Sequence, residues 1–333
     1  MEEKKVAVIA NFNCTFGDEA TPMLSHFDDI IWPALKKSSE NDDETLLLKN
    51  NGKKTKYFLE NIELVKNEKD DFVLRGILVK STKLEVKSKY TDTGLVQSDE
   101  EYPSAPYSIF LISLINHRMI LVKNQKGSPT VSNFAHTIEK SLKRYIKYEN
   151  KKKDKENKKK DKENKLPTPT VNVVPIPYKN KVVEEIKNAN KVMQVTFRVY
   201  PTNKDISLNP ALETFRAVLE NAGSNTGNIN MNSPKKLDSV ADYVVESRGT
   251  AETTIKIEDK FGNRKKLTDK DFTEEFYINI DDAQSPNYVG ERISLYANNK
   301  TEFNEASESH IEEYTSKKTL LEKIFKLNKG DEK

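Results

Sequence analysis

Cysteine is nearly missing from this 333-residue chain: Cys14 stands alone. With no second thiol no intramolecular disulfide can form, and a zinc site built on several cysteines is excluded. A reducing compartment is the expectation. The four histidines, His26, His117, His136 and His310, show no metal-ligand spacing. A dyad of Cys14 with His117 or His136 would need them to meet in the fold, and a structural role for the thiol is the favoured reading. The glycines at Gly223-Ser224-Asn225-Thr226-Gly227 lack the Lys-Ser/Thr of a phosphate loop, which disfavours nucleotide hydrolysis. Long apolar runs are missing too. The longest, Ile109 to Ile115, falls far short of the roughly 20 residues that cross a bilayer. At the N-terminus, Glu2 and Glu3 precede only a short apolar run, Val6 to Ala10, unlike a secretory signal. The expectation is a soluble, cytoplasmic protein with no membrane partner.

What the chain has in excess is charge of both signs, with 55 basic and 52 acidic residues. Much of the excess lysine sits in an exact repeat, Lys151-Lys152-Lys153-Asp154-Lys155-Glu156-Asn157, copied from Lys158 to Asn164 and closed by Lys165. That segment holds nine lysines and four acids, a charge of +5 in a chain of net +3, so the remainder is about −2. Basic character is therefore local. The prolines at 167, 169, 175 and 177 follow it, and charge runs with proline predict a solvated, stiffened linker over 149–177.

Hydrophobic periodicity on either side predicts two folded units. In the first, strands are expected at Lys5 to Phe12, Tyr57 to Val65, Phe72 to Thr82 and Lys83 to Tyr90. A hairpin follows, Tyr107 to Ile115 and Arg118 to Lys123, and Thr21 to Lys37 reads as helical or irregular, interrupted at Pro33. Thr130 to Tyr148 is an amphipathic helix, with Val131, Phe134, Ala135, Ile138, Leu142, Tyr145 and Ile146 on one face. In the second unit the order is helix (Lys181 to Asn190), strand (Val192 to Tyr200) and two helices (Asn209 to Ala222, Pro234 to Ser247). Two strands (Thr250 to Glu258, Phe272 to Ile280) and an extended run, Arg292 to Tyr296, complete it. Asp259-Lys260-Phe261-Gly262-Asn263 has the composition of a hairpin turn. A helix from His310 to Leu327 closes the chain. The expected fold is α+β, with two domains, each a mostly antiparallel sheet with packed helices: 1–148, linker 149–177, 178–300, and a helical tail 301–333.

Three groups of residues carry candidate chemistry. Opposite the apolar face of the Thr130 to Tyr148 helix, His136, Lys140, Lys143, Arg144 and Lys147 form a basic stripe of the kind that meets a phosphate backbone, to be weighed against an ordinary solvated face. On the strand Val192 to Tyr200, Gln194, Thr196, Arg198 and Tyr200 alternate against Met193, Val195, Phe197 and Val199. With Tyr277 and Asn279 they could form a sheet face that stacks single-stranded bases. A metal nuclease would need clustered carboxylates. Asp70 or Asp71 with Glu85 and Lys87 is one such set, and Glu258-Asp259-Lys260 with Asp281 and Asp282 is a second. An acid two residues before a lysine is nevertheless expected about seven times by chance in this composition, so the pattern has little specificity.

The segment Leu74 to Thr82, the strand pair around Asn116-His117-Arg118, the Asn209-Pro210 step with its helix, and the helix before Gly249 together resemble an uncharacterised family of bacterial two-domain proteins associated with mobile elements and anti-phage roles. The resemblance implies a context of defence and carries over no active site. The function expected is a non-enzymatic sensor or adaptor subunit of a bacterial anti-phage system. It would bind nucleic acid through Lys140, Lys143, Arg144, Lys147, Arg198 and Tyr200, or a protein partner or second copy. Two alternatives stay open. One is a nuclease effector using Asp71, Glu85 and Lys87, with Mg2+ as the only cofactor in any of these readings. The other is a structural or phage-encoded interaction module.

Overall fold

The computed structural model describes residues 2–39, 55–156, 165–200, 209–224, 226–273, 275–281 and 286–330. The fold is α+β with antiparallel sheets. Strand β1 (Glu2–Phe16) is the spine of the larger sheet. Its side chains alternate: Val8, Ala10, Phe12, Cys14 and Phe16 enter one core, while Ala7 and Ile9 enter another on the opposite face. β2 (Thr21–Pro22) folds back on its end. A 3-10 turn (Met23–His26) and a π-helical turn (Phe27–Ile31) then lead directly into α1 (Trp32–Ser39), with Pro33 in its first turn. Helical structure thus runs from Met23 to Ser39, and the change from π to α falls next to Pro33.

β3 (Lys56–Lys66), β4 (Phe72–Thr91), β5 (Gly94–Ser104), β6 (Tyr107–Ser113) and β7 (Arg118–Lys123) follow in antiparallel pairs. The two strands expected at Phe72 to Thr82 and Lys83 to Tyr90 are one continuous strand, since no turn residue separates them. α2 (Val131–Glu156) is longer than its apolar stripe predicts. β8 (Pro169–Pro175) pairs with β1 from Ala10 to Phe16. Its two prolines sit at the ends of an edge strand, which tolerates a missing N–H.

The second half supplies α3 (Lys179–Asn188), β9 (Ala189–Val199), α4 (Pro210–Asn221), β10 (Gly227–Asn232), α5 (Leu237–Glu246), β11 (Ala251–Asp259) and β12 (Arg264–Thr268). These strands form a four-stranded sheet in the order β10-β9-β11-β12, backed by the three helices. The Asp259 carboxylate accepts from the amides of Asn263 and Phe261, both at 2.9 Å, and so closes the β11–β12 turn. The chain continues through α6 (Asp269–Phe272), β13 (Phe276–Asp281), α7 (Pro286–Asn298), α8 (Thr301–Asn304) and α9 (Glu308–Gly330). Residues Arg292 to Tyr296, expected to be extended, lie within α7; the four-residue spacing of buried Val289, Ile293 and Ala297 sets its period.

Sheet pairing crosses the boundary read from the charged repeat. β13 pairs with the first half of β1, and β8 with its second half, so among the described residues the larger sheet has nine strands with the main path β13-β1-β7-β6-β4-β3. α1, α2 and α9 cover one face, and α7 and α8 the other. Where described, the expected linker is helix to Glu156 and strand from Pro169; the second copy of the repeat lies outside the described residues. The tail helix packs on the body, placing Tyr314, Leu321 and Ile324 in the first core.

Candidate functional site

The basic residues Lys140, Lys143, Arg144 and Lys147 all lie on α2. Lys143 and Lys147 are exposed, Lys140 and Arg144 half-buried, and partial burial lowers the Arg144 pKa. Lys143 is held by Glu139 at 2.7 Å. Because the helix runs to Glu156, exposed Lys151 and Lys155 continue the row at four-residue steps, over about 22 Å of helix from Lys140. Lys37 reaches Glu149 at 3.0 Å and lies over Tyr145 and Tyr148, which ties α1 to this face.

The expected base-stacking face is not assembled. Tyr200 is 2% exposed, so its ring is unavailable, and burial raises its phenol pKa well above the ordinary value. Tyr277 is exposed but belongs to β13 of the other sheet, opposite Val6. Arg198 is exposed, 3.6 Å from Glu252. Gln194 donates to Asn232 at 3.0 Å and Thr196 to Asn230 at 2.7 Å, so short cross-strand pairs to β10 occupy the polar face.

The first nuclease set is dispersed. Asp71 precedes β4 and Glu85 lies fourteen residues further along the same extended strand, about 45 Å away, too far to share a metal ion. Glu85 instead pairs with Lys87 at 3.0 Å on an exposed face. In the second set, Asp259 closes a turn of the small sheet while Asp281 ends a strand of the large one; Asp282 lies outside the described residues. Among the described residues no three His, Cys, Asp or Glu side chains gather as a metal site.

Two features that the sequence reading did not assign stand out. The first is the distal half of β4 with β5, a two-stranded ribbon about 30 Å long that leaves the sheet after Ser81. Directly opposed residues share a face, so Leu84 with Tyr102 and Val86 with Glu100 lie on one side, where the Glu100 carboxylate accepts from the Tyr102 hydroxyl and pairs with Lys89; beyond a register shift after Val86, Tyr90 opposes Leu95. Lys83, Glu85, Lys87 and Glu101 lie on the other and pair among themselves, Lys83 with Glu101 at 2.6 Å. Tyr90 is 86% and Leu95 74% exposed. The alternation Leu84, Val86, Tyr90 was visible in the sequence; what it lacked was the partner strand Gly94–Ser104, whose charged run Asp99-Glu100-Glu101 hides its period.

The second is the seam between the two sheets. The turn after α5 carries Arg248 and Gly249 in succession with φ of 46° and 75°, and it docks on the start of β7. Arg118 Nη1 donates to the Arg248 carbonyl at 2.9 Å, and Asn11 donates to the Gly249 carbonyl at 3.4 Å. Asn116 donates to the Phe303 and Glu305 carbonyls at 2.7 and 3.0 Å, and the Arg248 guanidinium meets Glu305 at 3.0 Å. Beside this junction is a cavity of about 250 Å³ lined by Arg118, Arg248, Glu305, Phe276, Ile176 and Val245, among others. Arg118 is 7% exposed, and its Nε has no hydrogen-bond partner among the described residues. Burial pushes its pKa down to about 10, with Glu305 opposing and Arg248 adding to the shift, so the buried group remains a cation at neutral pH. The Asn116-His117-Arg118 run was legible as a motif; the role of its arginine depends on Arg248, far away in sequence.

The chain matches no protein-family model, no curated protein and no solved structure.

Proposed function

We propose that this chain acts by binding rather than catalysis, as a sensor or adaptor subunit, and that its principal contact is with protein through the β4–β5 ribbon. The resemblance to a family linked with mobile elements and anti-phage roles supplies the context of this reading. The observation that carries it is the exposed cluster of Leu84, Tyr90, Leu95 and Tyr102, interrupted by Glu100, on a projecting two-stranded ribbon. An isolated hairpin is marginal in water, and covering this cluster would stabilise it. A second copy of the chain is the simplest cover, because a two-fold axis lets identical ribbons mask each other. Sedimentation velocity on the full chain tests this. A dimer or larger species, converted to monomer by Leu84→Glu with Leu95→Glu at unchanged circular dichroism, supports it. A monomeric parent chain that also captures no protein partner overturns it.

A second reading, contact with nucleic acid, is favoured by the row Lys140, Arg144, Lys147, Lys151 and Lys155 on one helix. Its signature is affinity that falls steeply with salt. Fluorescence anisotropy with duplex and single-stranded probes should show that dependence, and Lys147→Glu with Lys151→Glu should remove most of the binding. Absence of binding at low salt excludes it.

A further inference from the structure

The seam cavity places two guanidinium groups and one carboxylate at the mouth of an apolar pocket. Ile9, Ile176, Pro177, Val245 and Phe276 supply the apolar wall, and Arg118 and Arg248 the cationic end. Lys179 also lines the pocket, but it is paired with Asp242 at 3.1 Å. Glu305 offsets one of the two guanidinium charges, which leaves one positive charge uncompensated. Of the three nitrogens of the buried Arg118 side chain, only Nη1 donates to a described residue. Arg118 Nε, unpaired among the described residues, is shut off from solvent, a costly state for a donor. The groups open to a ligand are therefore the exposed Arg248 guanidinium and the small part of Arg118 that remains accessible, and a guanidinium matches the two oxygens of a carboxylate.

We propose that this pocket binds a small organic monoanion, with its carboxylate against Arg118 and Arg248 and an apolar or aromatic body against Phe276 and Ile176. A monoanion matches the single uncompensated charge, and the cavity accommodates a body of about one aromatic ring with a short chain. Such a carboxylate can come from a free acid or from the end of a peptide. A ligand at this place would touch β1, β13, the α5–β11 turn and Glu305 together, so it would bridge the larger sheet and the unit built on the smaller one.

The test uses the full chain and records the arginine Nε–Hε resonances during titration with 3-phenylpropanoate, acetyl-Gly-Phe, inorganic phosphate and, as the neutral control, 3-phenylpropanol. The expected result is a saturable shift of the Arg118 and Arg248 signals with the carboxylates, exceeding that with phosphate and missing with the alcohol. Preference for acetyl-Gly-Phe over the free acid assigns a peptide end, and the reverse a free acid. Arg248→Met should weaken binding about tenfold or more, the scale of a charge-assisted hydrogen bond. Glu305→Gln should tighten it several-fold, because it releases Arg248 and removes a like charge; a purely structural Glu305 would not act in that direction. Arg118→Met also removes the contact to the Arg248 carbonyl, so if it fails to fold, the Arg248 and Glu305 variants decide. No shift at millimolar probe, an equal response to the alcohol, or affinity indifferent to both variants overturns the proposal.

Discussion

The backbone amide of Phe72 donates to the hydroxyl of Tyr314 at 2.8 Å, joining the first residue of β4 to the tail helix across 242 positions of sequence. Both side chains are buried, with Leu321 in the same core and Lys66 bridging to Glu322 at 2.7 Å nearby. α9 is thus part of the first core rather than an appendage. Tyr314→Phe keeps the ring but strands the Phe72 N–H, which should cost about 1–3 kcal/mol. Leu321→Ala should cost about 2–5 kcal/mol through the cavity it leaves. Urea denaturation at constant m-value checks both. Losses within about 0.5 kcal/mol for the two variants would mean that the helix is not packed as described.

Local periodicity made most elements of this fold legible, but long-range pairing was not. The stripe from Val131 to Ile146 announces α2, and the strands around Asn116-His117 announce a hairpin, because their patterns are set within a few residues. β8 was hidden because Pro169 and Pro175 at its ends read as linker. β10 was hidden because Gly227-Asn228-Ile229-Asn230-Met231-Asn232 is polar on its exposed positions and short. Nothing local in Phe276 to Asp281 says that it will pair with Glu2 to Ala7. Once that pairing forms, Tyr277 leaves the face on which Arg198 lies, and the proposed stacking surface dissolves for the same reason. The basic row of α2 was legible since it depends on helical spacing alone. The seam cavity was not, since Arg118 and Arg248 are brought together only by docking.

Asp269 makes stability depend on pH. Its carboxyl is 8% exposed, and burial raises its pKa to about 7 from 3.8, although both oxygens accept from the Thr253 amide at 3.0 and 3.1 Å. The folded state therefore holds a proton that the unfolded chain releases. The stabilisation from this group is fully present below pH about 4 and is lost as pH rises through about 7, at about 1.4 kcal/mol per unit between. Asp269→Asn should abolish that slope and raise stability at pH 8 relative to the parent chain. Equal pH slopes for the two proteins in urea titrations would refute the assignment.

Cys14 reports unfolding. It has no measurable exposure, and burial pushes its thiol far above the ordinary range, with Glu139 adding to the effect. Since the thiolate is the reactive form, alkylation by iodoacetamide in the native protein should be negligible and should rise with the urea unfolding curve. Rapid native labelling would show that the β1 core opens. Cys14→Ser, which puts a hydroxyl in an apolar core, should destabilise the chain more than Cys14→Ala.

Gly249 sets the closeness of the seam. Its φ is +75°, and a Cβ there would stand 2.8 Å from the Val174 carbonyl oxygen and 3.2 Å from Asn11 Cβ. Gly249→Ala thus meets both backbone strain and a clash with β8, of the order of 1–3 kcal/mol for the strained conformation alone. The turn must lift from β1 and β8 to relieve it, which loosens the Arg118 bond to the Arg248 carbonyl. The variant should unfold at lower urea, and its Arg118 Nε–Hε resonance should shift or broaden without any ligand. Gly262→Ala is the control: its φ is +80°, but an added Cβ has nothing within 4 Å, so it carries the backbone strain without the clash. A Gly249→Ala variant no less stable than Gly262→Ala, with an unmoved Arg118 signal, would show that the turn is not docked against these strands, and the cavity beside it would lose its wall.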